Sequence, residues 1–263
     1  MDDPAAPDDL PMMVEAALDA GEIAMRFRQG PLGTRDKGDG QGPVTEADLA
    51  VDAMLKQRLR GIRPQYGWLS EETPDDPARL SHDRVFIVDP IDGTRGYANG
   101  GTDFCHAIAV AEKGRVIAAV AHFPALGLTY SASIGRGAWI GGDHLTPSKQ
   151  KLADGARILA GKRQMTAPFW PGGVPDAKVE LRGSLIYRLC LVAQGRFDAS
   201  ITFRPAWEWD VAVGDLILRE AGARITTVSG EVPTFNSPSA KLPGIVAANA
   251  ALHPDLMARL AAE

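Results

Sequence analysis

The sequence is poor in cysteine, which limits the kinds of protein it can encode. Its 263 residues include two cysteines, Cys105 and Cys190, each among apolar neighbours. Cysteines in such surroundings are typical of small buried hydrophobic residues rather than of a disulfide framework or a redox pair. This usage favours a reducing compartment, and we expect a cytoplasmic protein.

The sequence also lacks an excess of basic charge. Lys and Arg number 28 against 33 Asp and Glu, for a net charge of −5, whereas a nucleic-acid binder usually carries a basic face. No run of about 18 apolar residues could span a membrane. The acidic segment 1–11 lacks the basic start and apolar stretch of a signal peptide, so we interpret it as a frayed lead-in. We therefore expect neither a nucleic-acid nor a membrane partner, and look for a small-molecule ligand.

The hydrophobic content, 45%, is enough for one large domain or two closely packed lobes. Residues 1–147 show two helical segments followed by strands joined by tight turns, which predicts an α+β lobe with an antiparallel sheet. A polar stretch with a proline at residues 145–154 follows, and residues 148–263 alternate between strand and helix patterns, as in an α/β lobe. His106 and His122 lie in predicted strands of the first lobe, and we interpret both as structural.

The stretch from Val85 to Thr94 carries the clearest chemical signal. An apolar run predicts a buried strand that stops at Pro90, followed by a tight turn at Gly93 that aims Asp89 and Asp92 at one spot. Two carboxylates on a stiff turn suit Mg²⁺, and the N–H groups after them suit an anion. A metal and an anion at one turn suggest phosphoryl chemistry.

Other interpretations of this stretch remain open. Asp-Pro and Asp-Gly are also common in ordinary turns. Phosphatases that form an aspartyl-phosphate use an Asp-x-Asp-Gly-Thr motif, but here two residues separate the two aspartates. We therefore expect no aspartyl-phosphate intermediate.

Further acidic residues follow other predicted elements. Glu71 and Glu72 come after a short strand at 66–69; they form either a solvated turn or, if that strand neighbours the 85–88 strand, part of one carboxylate cluster. Thr45 and Asp48 open a helix as an approximate capping box, and capping alone could explain both. Asp210 is the predicted N-cap of a helix at 211–221, a position that also suits anion binding.

A glycine-rich loop at residues 30–42 precedes these elements. Without bulky apolar residues we expect it to be mobile, either as a plain surface connection or as a lid. Lys37 is its residue best able to meet a phosphate or a metal-bound water network.

Two longer motifs resemble a known family. Residues 89–94 (Asp-Pro-Ile-Asp-Gly-Thr) and 209–222 (from Trp-Asp to Glu-Ala-Gly) resemble the two signatures of the inositol monophosphatase superfamily, and residues 44–48, 70–73 and 182–184 follow in the family's order. The resemblance covers nearly the whole chain. It implies a layered αβαβα sandwich and hydrolysis of a small phosphate monoester that depends on two or three Mg²⁺ ions, and a homodimer is compatible with it.

The resemblance also implies roles for individual residues. The metal ligands it implies are Glu71, Asp89, the Ile91 carbonyl, Asp92 and Asp210. Those implied to orient the attacking water or support this are Asp48, Thr94, Thr45 and Glu71. Those implied to bind phosphate or the rest of the substrate are Gly93, Thr94, Asp92, Ser184, Arg204 and Asp210, with Lys37 and Glu72 as accessory residues near the most weakly held metal.

The substrate is less clear from the sequence. Inositol phosphatases usually carry a glutamate before the second signature, where this chain has Phe203, and Glu208 is displaced from that register. Phe203, Arg204 and Trp207 could line a site for a base or a second phosphate, or the aromatic rings could pack in the core with the arginine solvated.

Residues 36–48 are most similar to bacterial bisphosphate nucleotidases, which favours 3′-phosphoadenosine 5′-phosphate as the substrate. Inositol 1-phosphate and fructose 1,6-bisphosphate remain alternatives. A sensor that binds metal and a phosphorylated ligand without turnover is the non-enzymatic alternative.

Overall fold

The computed structural model describes residues 8–38 and 42–261. Most of the predicted lead-in, residues 1–7, and the tip of the glycine-rich loop, residues 39–41, lie outside this range. The helices in the described part are α1 (Leu10–Phe27), α2 (Glu46–Ile62), α3 (Thr94–Ala98), α4 (Leu185–Ala193), α5 (Glu208–Ala221) and α6 (His253–Ala261). Each helix within residues 8–38 and 42–261 is too short or too polar to span a lipid bilayer.

A sheet of seven strands forms the first half of the chain. Its strands, in spatial order, are β3 (Gly67–Ser70), β4 (Arg84–Asp92), β5 (Cys105–Glu112), β6 (Arg115–Phe123), β7 (Leu128–Ser133), β8 (Ala138–Ile140) and β9 (Asp143–His144). The antiparallel sheet predicted from the sequence is observed except at one edge, where β3 and β4 are parallel. The segment that connects these two strands contains a 3₁₀ helix at Pro77–Ser81. The condition that the sequence left open for Glu71 and Glu72 is met, because these two strands are neighbours and their carboxyl ends meet at the same edge.

A second sheet of five strands follows. Its strands, in spatial order, are β11 (Lys178–Glu180), β10 (Arg157–Leu159), β12 (Ala199–Thr202), β16 (Ile245–Asn249) and β14 (Ala223–Thr227). The pairs β1 (Arg35–Asp36) with β2 (Pro43–Val44) and β13 (Ala206–Trp207) with β15 (Lys241–Leu242) are separate two-stranded ribbons. The predicted division between residues 147 and 148 falls between the two large sheets, and the independence of the two lobes stays a prediction.

The buried side chains arrange these elements in five layers. On β4, Phe86 and Val88 pack with α1 and α2, whereas Val85 and Ile87 pack with α4 and α5. The opposite faces of β16 pack in the same alternating way, against α4 and α5 on one side and α6 on the other. The order is therefore helix, sheet, helix, sheet, helix, which is the αβαβα sandwich expected from the sequence.

The central strand differs from its prediction. β4 does not stop at Pro90 but continues to Asp92, with an irregular register against β5 between Asp89 and Asp92. Pro90 is tolerated because β3 pairs with β4 only as far as Val88, so beyond that point the strand has one neighbour and an irregular ladder.

The start of α5 also differs from its prediction. The helix begins at Glu208 rather than after Asp210, and Trp207 is its N-cap. The Asp210 carboxylate accepts a hydrogen bond from the Trp207 backbone N–H at 3.1 Å, as the third residue of a capping box does. The predicted end at Gly222 is correct, with φ of 87°.

Candidate metal and phosphate site

Three carboxylates meet at the carboxyl end of β4. Oxygen atoms of Asp89, Asp92 and Asp210 all lie within 4.8 Å of one another. The irregular end of β4 supplies the first two, and the first turn of α5 supplies the third. We call these three residues the carboxylate triad.

Burial makes the triad electrostatically costly. It raises the pKa of Asp89 well above the ordinary range, and the charges of Glu71 and Asp92 raise it further. Burial likewise raises the pKa of Asp210, helped by Asp92. The pKa of Asp92 rises only to about 6, because hydrogen bonds from Ser184 and the Ile186 backbone N–H partly offset its burial. Asp89 and Asp92 are buried and Asp210 is half-buried. Three anions this close repel one another, and a bound cation removes that repulsion.

The donor atoms of the triad fit a hard divalent cation. Asp89 Oδ1 is buried and has no hydrogen-bond partner in the described part of the chain, and an unpartnered buried carboxylate oxygen is expensive unless a ligand meets it. The Ile91 carbonyl oxygen lies 2.9 Å from the Thr94 hydroxyl, and a carbonyl with two lone pairs can accept from that hydroxyl and still offer a donor atom to a cation. Oxygen donors of this kind suit Mg²⁺.

A second group of side chains lies beside the triad at the start of α2. The capping box predicted for Thr45 and Asp48 is present, and the Thr45 hydroxyl also lies 2.5 Å from Asp48 Oδ2. The other oxygen, Asp48 Oδ1, lies 3.1 Å from the Thr94 hydroxyl. Burial raises the pKa of Asp48, against the hydrogen bonds from Thr45 and Thr94. The single proton of the Thr94 hydroxyl has two acceptors, Asp48 Oδ1 and the Ile91 carbonyl, and a cation on that carbonyl would leave Asp48 as its acceptor.

Gly93 makes the turn between the triad and Thr94. It has φ of 93°, and a Cβ at this position would lie 3.1 Å from the Asp103 carbonyl oxygen. A glycine is required there both by its backbone angle and by the close approach. The turn brings the Gly93 and Thr94 backbones next to Asp92, in the position where the sequence predicts a phosphate.

Lys37 bridges the two glutamates that follow β3. Its ammonium lies 2.6 Å from Glu71 and 2.6 Å from Glu72. Burial raises the pKa of Glu72 to about 7 despite this bond, while burial lowers the pKa of Lys37 less than the two glutamates raise it. Glu71 acts on the triad through its charge, but its carboxylate is held by Lys37 and is not part of the triad.

We expect Lys37→Met to tighten Mg²⁺ binding. The ammonium offsets the charge of Glu71, so removing it leaves more negative charge for a divalent cation. The expected gain is about fivefold in dissociation constant, the equivalent of about 1 kcal/mol, measured by isothermal titration calorimetry. Lys113→Met, at a solvent-facing turn far from the glutamates, is the matched control. Weaker binding by Lys37→Met would show instead that Lys37 supports the metal site.

The N-terminus of α4 forms another wall of the site. Ser184 caps this helix, and its hydroxyl donates to Asp92 Oδ2 at 2.5 Å. The sequence predicts substrate binding for Ser184, and in the structure its hydroxyl is engaged by Asp92. One turn later, Arg188 Nε donates to the Ser184 carbonyl at 3.4 Å. Burial lowers the pKa of its guanidinium, and the charges of Asp92 and Asp210 oppose that shift. Sequence reasoning missed Arg188, although a single cation in the apolar segment Leu-Ile-Tyr-Arg-Leu-Cys is a visible signal.

Several residues considered for substrate binding point elsewhere. Arg204 is exposed and makes no hydrogen bond or ion pair with any described residue. Phe203 stacks on Phe169 at 4.8 Å and packs in the hydrophobic layer under the second sheet. Trp207 stacks on Trp209 at 4.7 Å. For these aromatic rings, the packing role left open by the sequence is the one observed.

Glu208, the other residue considered for substrate binding, also has a structural role. It is fully buried, and its carboxylate accepts hydrogen bonds from the backbone N–H groups of Asn236, at 2.6 Å, and Ser237, at 2.8 Å. Its carboxylate is therefore engaged by the backbone and is not available to bind sugar or inositol hydroxyls.

His106 lies closer to the site than the sequence suggested. Its Nδ1 is 2.5 Å from the Pro90 carbonyl, directly behind the turn that carries Asp89 and Asp92. Burial lowers its pKa to about 4, so the ring is neutral near pH 7. The structural role assigned to this residue agrees with that geometry, and nothing in the sequence indicated that it would lie behind the carboxylates.

Comparison with known proteins gives a consistent result. The model of the inositol monophosphatase family matches residues 9–263. The chain is 32% identical to the histidinol-phosphatase of Mycobacterium tuberculosis, over 96% of this chain and 98% of that protein. It is 32% identical to the 3′(2′),5′-bisphosphate nucleotidase of Aggregatibacter actinomycetemcomitans, over 85% of this chain and 86% of that protein.

A solved structure shows the same architecture. The Thermotoga maritima IMPase superimposes with a TM-score of 0.82 at 26% identity, covering 97% of each chain. Members of this family are metal-dependent phosphatases, and the carboxylate triad lies where the sequence predicts metal ligands. The chain belongs to the inositol monophosphatase family.

Proposed function

We propose that this protein hydrolyses a small phosphate monoester with Mg²⁺ as its metal. The observation that carries the proposal is the carboxylate triad, two buried carboxylates and one half-buried carboxylate within 4.8 Å of one another, with an unpartnered Asp89 oxygen. The hydrogen-bonded pair of Asp48 and Thr94 lies beside it. A metal site next to a fixed hydroxyl is what attack by water on a phosphate requires.

The first group of residues in the site consists of the proposed metal ligands. Asp89, Asp92 and Asp210 hold Mg²⁺, with Glu71 and the Ile91 carbonyl as further ligands. Bound Mg²⁺ lowers the pKa of water and offsets negative charge on the phosphoryl oxygens.

Other groups of the protein orient the attacking water and bind the phosphate. Asp48 accepts from the Thr94 hydroxyl, and Thr45 holds Asp48 in place, so that the Thr94 oxygen presents a lone pair to the attacking water. The backbone N–H groups of Gly93 and Thr94 bind the phosphate.

Thr94→Val tests the role of this hydroxyl. The side chain keeps its shape but loses the oxygen that orients the water, so we expect kcat to fall about 100-fold or more with little change in KM. Thr94→Ser keeps the hydroxyl and should retain most of the activity. Equal activity of the valine and serine variants in steady-state assays would remove Thr94 from the mechanism.

For the substrate, we propose a nucleoside 3′,5′-bisphosphate such as 3′-phosphoadenosine 5′-phosphate. The position where inositol phosphatases place an acidic residue is taken by Phe203, which packs against Phe169. Glu208 is bonded to the backbone of Asn236 and Ser237. No carboxylate from this segment is therefore left for ring hydroxyls, and a bisphosphate nucleotidase is among the most similar relatives.

The substrate proposal is tested by comparing kcat/KM for 3′-phosphoadenosine 5′-phosphate, inositol 1-phosphate, fructose 1,6-bisphosphate and histidinol phosphate. The nucleotide should be preferred by about tenfold or more over the others, the margin that one well-placed polar contact gives. Preference for inositol 1-phosphate or histidinol phosphate would refute the nucleotide assignment without touching the metal site.

A further inference from the structure

A small cavity lies between the second half of α2 and the segment that joins β3 to β4. Its volume is about 130 Å³. One water molecule takes up roughly 30 Å³ in the liquid, and pockets for drug-sized ligands begin at about 300 Å³. The cavity therefore has room for a small ion with a few waters, but not for a nucleoside.

The charged side chains that line this cavity are mostly cationic. Lys56, Arg60 and Arg79 lie on its wall together with one carboxylate, Asp76. Arg79 is paired with Asp75, at 2.6 Å, and Asp76 Oδ1 accepts a hydrogen bond from a backbone N–H of its own turn. Among the described residues, no carboxylate oxygen lies within 4.0 Å of the nitrogens of Lys56 or Arg60. The wall therefore carries a positive charge that the protein leaves unbalanced.

The same wall has hydrogen-bond donors to spare. Arg60 Nε is buried and makes no hydrogen bond with any described residue, while a terminal nitrogen donates to the Pro64 carbonyl at 3.2 Å. A buried N–H without a partner is costly unless water or a ligand meets it. His82 Nδ1 lies 2.8 Å from the Gln65 carbonyl and must donate to it, which leaves Nε2 for another partner. Lys56 lies one turn before Arg60, so both side chains share a face of α2.

The cavity is separate from the carboxylate triad. Asp48, beside the triad, lies in the first turn of α2, whereas Lys56 and Arg60 follow it by eight and twelve residues. At about 1.5 Å per residue these are roughly 12 and 18 Å farther along the helix. The cavity also meets β3 at Gly67, its amino end, whereas the carboxyl end leads to Glu71. The two sites thus lie at opposite ends of α2 and β3.

We propose that this cavity is a second anion site, which binds a free tetrahedral oxyanion of the phosphate or sulfate class. The charges of Lys56 and Arg60 balance a dianion, and the unused Arg60 Nε gains an acceptor. The small volume selects the free ion over a phosphate group carried by a nucleotide. Bound there, the ion joins α2 to the β3–β4 connection and stabilises the folded protein. This binding requires neither Mg²⁺ nor the proposed phosphatase activity.

The test is calorimetric binding of inorganic phosphate to the full chain in chelator, in a buffer free of other oxyanions. Without metal the triad repels anions, so the heat reports on the cavity. We expect a dissociation constant of about 1 mM or lower for wild type, at least about tenfold weaker binding by Arg60→Met and Lys56→Met, and a smaller loss for Arg60→Lys. Sulfate should compete with phosphate. Lys178→Met, in the exposed edge strand β11, is the matched control.

Thermal melting separates lost binding from a variant that is merely less stable. At constant ionic strength, phosphate at about ten times its dissociation constant should raise the melting temperature of wild type and of Lys178→Met by about 2–5 °C. The rise for Arg60→Met and Lys56→Met should be less than half as large, whatever their melting temperatures without phosphate.

Three outcomes would overturn the proposal. Absence of binding and of any melting shift in wild type would leave the cavity to water. Equal binding by wild type, Arg60→Met and Lys56→Met would place the anion elsewhere on the protein. Tighter binding of adenosine 5′-monophosphate than of phosphate, lost in Arg60→Met, would assign the cavity to a nucleotide instead of a free ion. Hydrolysis of substrates with Mg²⁺ is measured separately, so its failure would refute the proposed function and leave this site standing.

Discussion

Asp92→Asn is expected to lower kcat by at least about 1,000-fold while the fold remains intact. Asp92 lies at the centre of the site, because its carboxylate belongs to the triad and also accepts hydrogen bonds from Ser184 and from the Ile186 backbone N–H. An asparagine keeps one oxygen for these bonds but removes the negative charge that holds the cation. Steady-state phosphate release at saturating Mg²⁺ measures the effect.

The control for this variant is Asp143→Asn, in the exposed edge strand β9, which should match wild-type activity. Circular dichroism and thermal melting of both variants establish that they are folded. Near-normal activity of folded Asp92→Asn protein would show that the triad is not the catalytic metal site.

Asp89→Asn is expected to lower kcat about as much as Asp92→Asn does, and yet to stabilise the metal-free protein. One oxygen of Asp89 is buried without a partner, and burial together with the charges of Glu71 and Asp92 raises its pKa well above the ordinary range. A neutral amide removes this unfavourable charge. We expect the melting temperature in a chelator at pH 8 to rise by about 2–8 °C, the equivalent of about 1–2 kcal/mol in a protein of this size.

The pH dependence of that gain follows from the direction of the shift. A carboxyl whose pKa is raised on folding destabilises the protein only where the unfolded chain would be ionised. The gain should therefore be absent below the ordinary carboxyl pKa, increase as the pH rises above it, and level off above the raised pKa of Asp89.

Mg²⁺ provides the control for the stability effect. It should raise the melting temperature of wild-type protein and leave that of Asp89→Asn nearly unchanged, because the variant has lost the site. A lower melting temperature of Asp89→Asn than of wild type in chelator would contradict the view that charge repulsion within the triad destabilises the metal-free protein.

Local patterns predicted the elements that carry the site better than the contacts between them. The apolar run before Asp89 predicted a buried strand, and Gly93 predicted the turn, because both signals lie within ten residues. The extent of β4 was underestimated, since whether Pro90 can remain in a strand depends on where β3 ends. That is a property of the sheet rather than of the local sequence.

Long-range charge contacts were the least predictable feature. Lys37 meets Glu71 across 34 positions in the chain, and no periodicity links them. The arrival of Asp210 at the triad was implied by resemblance alone. Arg188 was overlooked because its significance appears only when α4 is placed against Asp92 and Asp210. Conversely, Arg204 suited a phosphate by residue type, but the fold leaves it exposed and away from any partner among the described residues.

The central claim is best tested by phosphate release from purified wild-type protein, with Mg²⁺ and with a chelator. The substrates are 3′-phosphoadenosine 5′-phosphate, inositol 1-phosphate and fructose 1,6-bisphosphate. The account predicts release that requires Mg²⁺, is lost in chelator and returns when Mg²⁺ is restored, with the nucleotide as the best substrate. Release that is indifferent to chelation would contradict the metal assignment, and Mg²⁺ binding without release from any substrate would favour a sensor of phosphorylated ligands over an enzyme.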